Sequence, residues 1–143
     1  MREILFRGKE KDQWVSGYYW KYEQNCKEFH VIRDSADKLL KFNHICSPET
    51  IGQFTGLTDK NGVKIFEGDI VKGTAYSAKF VGIIVWINEI GGFGVRYRKR
   101  QEATAWENSS ILKCASKGHT DEFTAEIIGN IYDNPELIKE DTK

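Results

Sequence analysis

Each of the three histidines in this chain lies close to a cysteine: Cys26 with His30, His44 with Cys46, and Cys114 with His119. Imidazole and thiolate are the usual zinc ligands, and residues two or four apart share one face of a strand. The first two pairs could therefore each offer two donors. The spacing argues otherwise. Structural zinc sites set C-x2-C or H-x3-H pairs in a turn, and neither is present. Cysteines acting as small buried apolar groups account for the pattern, and no metal is expected.

The carboxylates give a similar answer. Asp59, Asn61 and Gly62 match part of a calcium loop, but Ile70 stands where the bidentate glutamate should be. Asp59, Glu67 and Asp69 could gather round a cation across a hairpin, yet all three are ordinary turn formers. Glu67, Asp69 and Glu126 make an acid/base pair only if the fold brings them into one cleft. No G-x-S-x-G elbow is present, and Gly91-Gly92-Phe93-Gly94 lacks the helix that a phosphate-cradling loop requires. No catalytic residue and no cofactor is expected, and the chain reads as a non-enzyme.

Two surfaces remain as binding candidates. Val95-Arg96-Tyr97-Arg98-Lys99-Arg100, in extended form, puts Arg96, Arg98 and Arg100 on one face and Tyr97 on the other. With Lys99, these cations could straddle a phosphate backbone, as small β proteins do with single strands. The same residues would also guard a solvated edge against pairing. In the second surface, Tyr18, Trp20 and Tyr22 alternate along one face. A partly bare stripe of that kind favours self-association into a homo-oligomer.

Period-two patterns dominate the elements that must position these residues. Strands are expected over Arg2–Arg7, Trp14–Tyr22, Glu28–Arg33 and Leu39–Ile45, with a polar turn at Gly8–Asp12. Others follow at Gln53–Thr58, Val63–Phe66, Asp69–Lys72, Val81–Ile90, Phe93–Arg98 and Thr124–Tyr132. Asp59-Lys60-Asn61-Gly62 predicts a tight hairpin turn. Val81–Ile90 is apolar on both faces and should be central or buried on both sides. Asn134-Pro135-Glu136 spells a short C-terminal helical turn, with Asn134 as its cap. Residues 99–122 are polar and irregular, with a loop or short strand at Ser110–Lys113.

At 143 residues, with 40% hydrophobic content and 18 aromatics, the chain can bury one core without disulfides. Three cysteines do not describe a disulfide framework, which points to a reducing cytoplasm. The N-terminus is not a signal peptide, and no stretch approaches a membrane span. The 21 cationic and 21 acidic residues cancel, but residues 51–100 are net basic and 101–143 net acidic. Such halves neutralise each other on a mixed surface or leave a basic face for a polyanion.

The chain also resembles the YopX family of small phage and prophage proteins. The likeness lies in Phe6-Arg7-Gly8 with Trp14-Val15-Ser16-Gly17, and in the long block Ser47-Pro48-Glu49-Thr50-Ile51-Gly52-Gln53-Phe54-Thr55-Gly56-Leu57. It continues through Asp59-Lys60-Asn61-Gly62 and Ile65-Phe66-Glu67-Gly68-Asp69-Ile70-Val71, and ends in Ile128–Leu137. The resemblance implies a mostly β fold and a bacterial host cytoplasm; it implies no activity and no site residues.

The reading is a single mainly β domain over 1–143. It has an N-terminal hairpin region (1–50), an SH3-like barrel or strongly bent antiparallel sheet (51–133), and a terminal turn (134–143). Its role is that of a binding or assembly module, with nucleic-acid binding through Arg96, Arg98, Lys99 and Arg100 as the alternative.

Overall fold

Alternating apolar and polar residues in the N-terminal third fold into consecutive antiparallel hairpins in the computed structural model, which describes residues 2–36, 39, 42–75, 78–98, 106–110 and 125–139. The chain divides into two compact units, Met1–Gly56 and Leu57–Lys143. In the first, β1 (Phe6–Glu10), β2 (Gln13–Gln24), β3 (Lys27–Asp34), β4 (Asn43–Cys46) and the start of β5 (Gly52–Thr58) form a sheet in the order β4-β3-β2-β1-β5. Gly8 lies inside β1, paired with Val15, so the expected turn shrinks to Lys11-Asp12, with Lys11 at φ 54°.

The β2–β3 connection is tighter than the sequence suggests. Asn25 and Cys26 both take positive φ, 53° and 59°, between the paired Gln24 and Lys27. Two left-handed residues give the backbone twist that a two-residue hairpin needs. Farther along this hairpin, a Cβ on Gly17 would sit 1.8 Å from the Arg33 carbonyl oxygen, so only glycine lets the strands approach there. Beneath the sheet, Leu5, Ile32, Cys46 and Phe54 are buried.

The second unit opens on the Asp59 turn. Asp59 Oδ1 accepts the N–H groups of Asn61 (2.8 Å) and Val63 (2.9 Å), and Oδ2 accepts that of Ile127 (3.1 Å). The Asp59 N–H donates to the Val63 carbonyl, the Gly62 N–H donates to the Asp59 carbonyl, and Gly62 takes φ 80°. This Asx-type turn leads into β6 (Lys64–Phe66). A second tight turn follows at Glu67-Gly68, where Asp69 Oδ2 accepts the Phe66 N–H at 2.8 Å. Gly68, at φ 85°, packs against Tyr132.

β7 (Asp69–Ala75), β8 (Ala78–Ile87), β9 (Gly92–Arg98), β10 (Trp106–Ser110) and β11 (Glu126–Asn130) form an antiparallel sheet in the order β10-β9-β8-β7-β11. Its core is Ile65, Val71, Ile84, Phe93 and Val95, with Leu57, Phe80, Tyr97 and Ile127 packed around it. β8 is central, as its composition predicts. It is not buried on both faces, because Val81 and Trp86 are exposed. β8 also ends early, as Asn88–Ile90 turn in 3-10 form onto a left-handed Gly91.

Two expectations are corrected. The SH3-like barrel does not form: among the described residues both sheets are open. The final strand pairs with β7 and not with β10, which leaves β10 and β11 at opposite edges. The C-terminal element Pro135–Ile138 is a single 3-10 turn, and no α-helix occurs among the described residues. Asn134 does not cap it with its side chain. Its Oδ1 instead accepts the Asn130 N–H, just past a bulge between Ile127 and Gly129.

Burial works to raise the Asp59 pKa, but the N–H groups of Val63, Ile127 and Asn61 outweigh it and hold the carboxyl below its ordinary value. The native state thus favours the carboxylate, and its stabilisation is complete above the unfolded-state pKa near ~3.9. It fades as pH falls through that value and the lower folded one. Asp59→Ala is expected to cost about 2–3 kcal/mol by urea unfolding at pH 7, with the gap from wild type narrowing in acid below about pH 4.

Candidate functional site

Opposed residues in an antiparallel pair point to the same side, so the register of β1–β4 sorts every side chain of the first sheet onto one of two faces. One face carries Trp14, Tyr18, Trp20 and Tyr22 from β2 with Phe29 from β3. Tyr22 stacks on Trp20 at 5.4 Å and on Phe29 at 5.0 Å between ring centroids. Trp20, Val31 and Ile45 stand in register across three strands, and Val31 is buried between its neighbours. Tyr18 is 57% exposed, Trp20 42% and Ile45 51%.

The charges on this face share one sign. Arg7 and Lys9 lie over the Trp14 ring, 4.7 and 5.7 Å from its centroid. Arg33, opposite Tyr18, donates from Nε to Asn43 Oδ1 at 3.1 Å, and Lys27 sits at the hairpin tip. Among the described residues of β1–β4, no carboxylate shares this face. Glu10, Glu23, Glu28 and Asp34 all occupy register positions on the other side, where Lys21 is the lysine. There Glu28 Oε1 lies 3.1 Å from both Lys21 Nζ and His30 Nε2, and Glu10 Oε1 lies 3.4 Å from His44 Nδ1. Tyr19 Oη lies 2.8 Å from His30 Nδ1.

The residues singled out in the sequence fall as follows. Arg96 is exposed on β9, opposite Ile83 and Asn108, while Tyr97 turns inward beside Phe80. Arg98 ends β9 opposite Trp106; its side chain, together with Lys99 and Arg100, lies outside the described residues. Cys26 is in a turn, so it shares no strand face with His30. His44 and Cys46 do share β4, but His44 faces Glu10 and the buried Cys46 thiol points at the His44 carbonyl, 3.5 Å away. Cys114 and His119 lie outside the described residues.

Asp59 and Asp69 are spent on backbone N–H groups. Among the described residues no cluster of three or more His, Cys, Asp or Glu could hold a metal. Glu126 stands apart from both: it bridges Lys60 (3.1 Å) and Lys72 (3.3 Å). Those two lysines, Lys60 first, hold its carboxyl below the ordinary glutamate value. With Lys79, Phe80 and Val81 they line an open groove of about 430 Å³, a basic recess already part-filled by its own carboxylate.

The family model described as YopX protein matches residues 5–139. The chain belongs to the YopX family. Among solved structures, this YopX member is similar to the crystal structure of protein EF1440 from Enterococcus faecalis, at 22% identity and a TM-score of 0.48. That likeness covers 97% of this chain and 100% of the other. No curated protein matches. Among the described residues, no helix is long and apolar enough to cross a membrane.

Sequence reasoning found the Tyr18-Trp20-Tyr22 stripe but not the cations beside it. Arg7, Lys9, Lys27 and Arg33 reach one face only through strand pairing. The signal that could have found them is Asn25, a residue tolerant of left-handed backbone between two alternating runs.

Burial first, then the charge of Glu10, pushes the Cys46 thiol up to about 11 against a hydrogen bond with the Ile32 backbone. At pH 8 only about a thousandth of it is thiolate. Mass-spectrometric mapping after brief iodoacetamide treatment of native protein should find the exposed Cys26 alkylated and Cys46 intact. Equal labelling of the two would contradict this geometry.

Proposed function

We propose that this YopX protein is a non-enzymatic binding or assembly module, encoded by a phage or prophage and working in the bacterial cytoplasm. It acts through the aromatic face of its first sheet. One observation carries the reading: Tyr18 and Trp20 stay exposed on a face whose charged side chains, among the described residues of β1–β4, are all cations, while the carboxylates of the same strands lie behind it. A broad aromatic surface of this kind is energetically costly to leave bare and is the usual mark of a contact site. The titratable groups that might suggest chemistry have structural duties instead: Asp59 and Asp69 organise turns, and His30 lies against Tyr19 and Glu28.

The phage setting and the cytoplasmic address are supported by the YopX resemblance and by an odd number of widely spaced cysteines. Self-association through the same stripe belongs to this reading, since a second copy is one way to cover it. Hydroxyl-radical footprinting tests it. Tyr18 and Trp20 should be oxidised several-fold more slowly in lysate of a bacterial host, or in concentrated protein, than in dilute purified protein. Equal oxidation in all three leaves the face without an occupant and ends the proposal.

A second reading makes the protein a nucleic-acid-binding accessory factor through Arg96, Arg98, Lys99 and Arg100. It is favoured by the strand alternation at β9, where Arg96 is exposed and Tyr97 packs against the core. Under this reading, Arg96→Ala/Arg98→Ala/Arg100→Ala should elute from heparin at markedly lower salt than wild type. An unchanged elution position excludes it.

A further inference from the structure

We infer that the aromatic face of the first sheet is a platform for single-stranded nucleic acid, with bases extending the Trp20-Tyr22-Phe29 ring ladder from its exposed end at Trp20 and phosphates held by Arg7, Lys9, Lys27 and Arg33. The inference rests on the reading of this face as a contact surface and names its occupant.

Three properties select a single strand over other partners. The rings form a ladder, with Tyr22 between Trp20 and Phe29 at 5.4 and 5.0 Å, and the outer member Trp20 presents 42% of its surface. Unpaired bases stack regardless of sequence and can continue such a ladder from its open end at Trp20, beside the exposed Tyr18. The charge is also sorted in the sense a polyanion needs. Arg33 lies opposite Tyr18, Lys27 closes the hairpin tip beyond Tyr22, and Arg7 and Lys9 flank Trp14 at the other end. Cations therefore stand at both ends of the aromatic row, and the row itself is uncharged.

The absence of carboxylates from the described residues of that face supplies the third property. An acidic peptide would satisfy the same charges but would not use three stacked rings. A second copy of this chain, face to face, would bring four cations of each protomer against four of the other, so self-association through this stripe carries a repulsion that a polyanion does not meet. Duplex DNA hides its base faces in the stack, so it would engage the cations alone.

The test uses the full chain and a fluorescein-labelled oligothymidylate of about 12 nucleotides in 50 mM salt, read by anisotropy and by tryptophan fluorescence. Wild type is expected to bind with quenching of its tryptophans and to hold the single strand at least about 10-fold tighter than a duplex of the same length. Trp20→Ala and Tyr22→Ala should each weaken binding roughly 10-fold with little salt dependence in the loss. Arg33→Ala and Lys27→Ala should each flatten the slope of log K against log salt by about 0.7. Near-UV circular dichroism and melting of each variant confirm that the sheet is intact.

Four results would overturn the inference. These are no binding by wild type, equal affinity for duplex, affinity indifferent to Trp20 and Tyr22, or loss confined to variants of Arg96 and Arg98, which would move the site to β9. The contact-surface reading can fail or survive separately. Protection of Tyr18 and Trp20 in lysate that persists after nuclease treatment keeps the surface and removes the nucleic acid. Protection abolished by nuclease supports both.

Discussion

The register of the β2–β3 hairpin is the constraint on which the rest of the first unit depends. Side-chain direction in a strand repeats every two residues, so a slip by one would move every aromatic to the opposite face and bring Glu23 and Glu28 among the cations. Two features hold the register. Asn25 and Cys26 close the hairpin in left-handed conformation, and Gly17 lies where the Arg33 backbone crosses too closely for any Cβ. Neither belongs to the aromatic row, yet together they decide which face it occupies.

The second unit solves a related problem with a carboxylate. A three-residue strand such as β6 cannot fix its own pairing, and Asp59 ties its turn to β11 by accepting N–H groups from both. The Lys60 N–H, which donates to the Ala125 carbonyl at 3.0 Å, adds a second tie next to the first. The burial of Asp59 in a polar turn is thus compensated in full by hydrogen bonds to its charged form. Asp69 repeats the device on a smaller scale at the next turn.

What the sequence revealed, and what it hid, follows the range of the interactions involved. The Asp59-Lys60-Asn61-Gly62 turn was readable because four of its six hydrogen bonds close within five residues. The bond to Ile127, 68 residues away, was not. The central place of β8 was readable from its composition, whereas the exposure of Val81 and Trp86 depends on what the neighbouring strands leave uncovered. The barrel was expected because short strands and glycine turns are common to closed and open sheets; which edge the last strand joins has no local signature. Cysteine is a poor left-handed residue, so its type gives no sign of the turn at Cys26, and its spacing from His30 suggests a shared strand face instead. The cations of the candidate face needed the pairing of three strands before they could be seen together.

The separation of charge across the first sheet has a consequence beyond contact. A net positive side and a net negative side, a single backbone layer apart, give strands β1–β4 an electric dipole normal to the sheet. In the field of any strongly charged body, that dipole exerts a torque at distances where no side chain yet touches. Diffusion would then tend to turn the cationic face of this unit toward a polyanion, and raising ionic strength would weaken that orientation before it weakens close contacts.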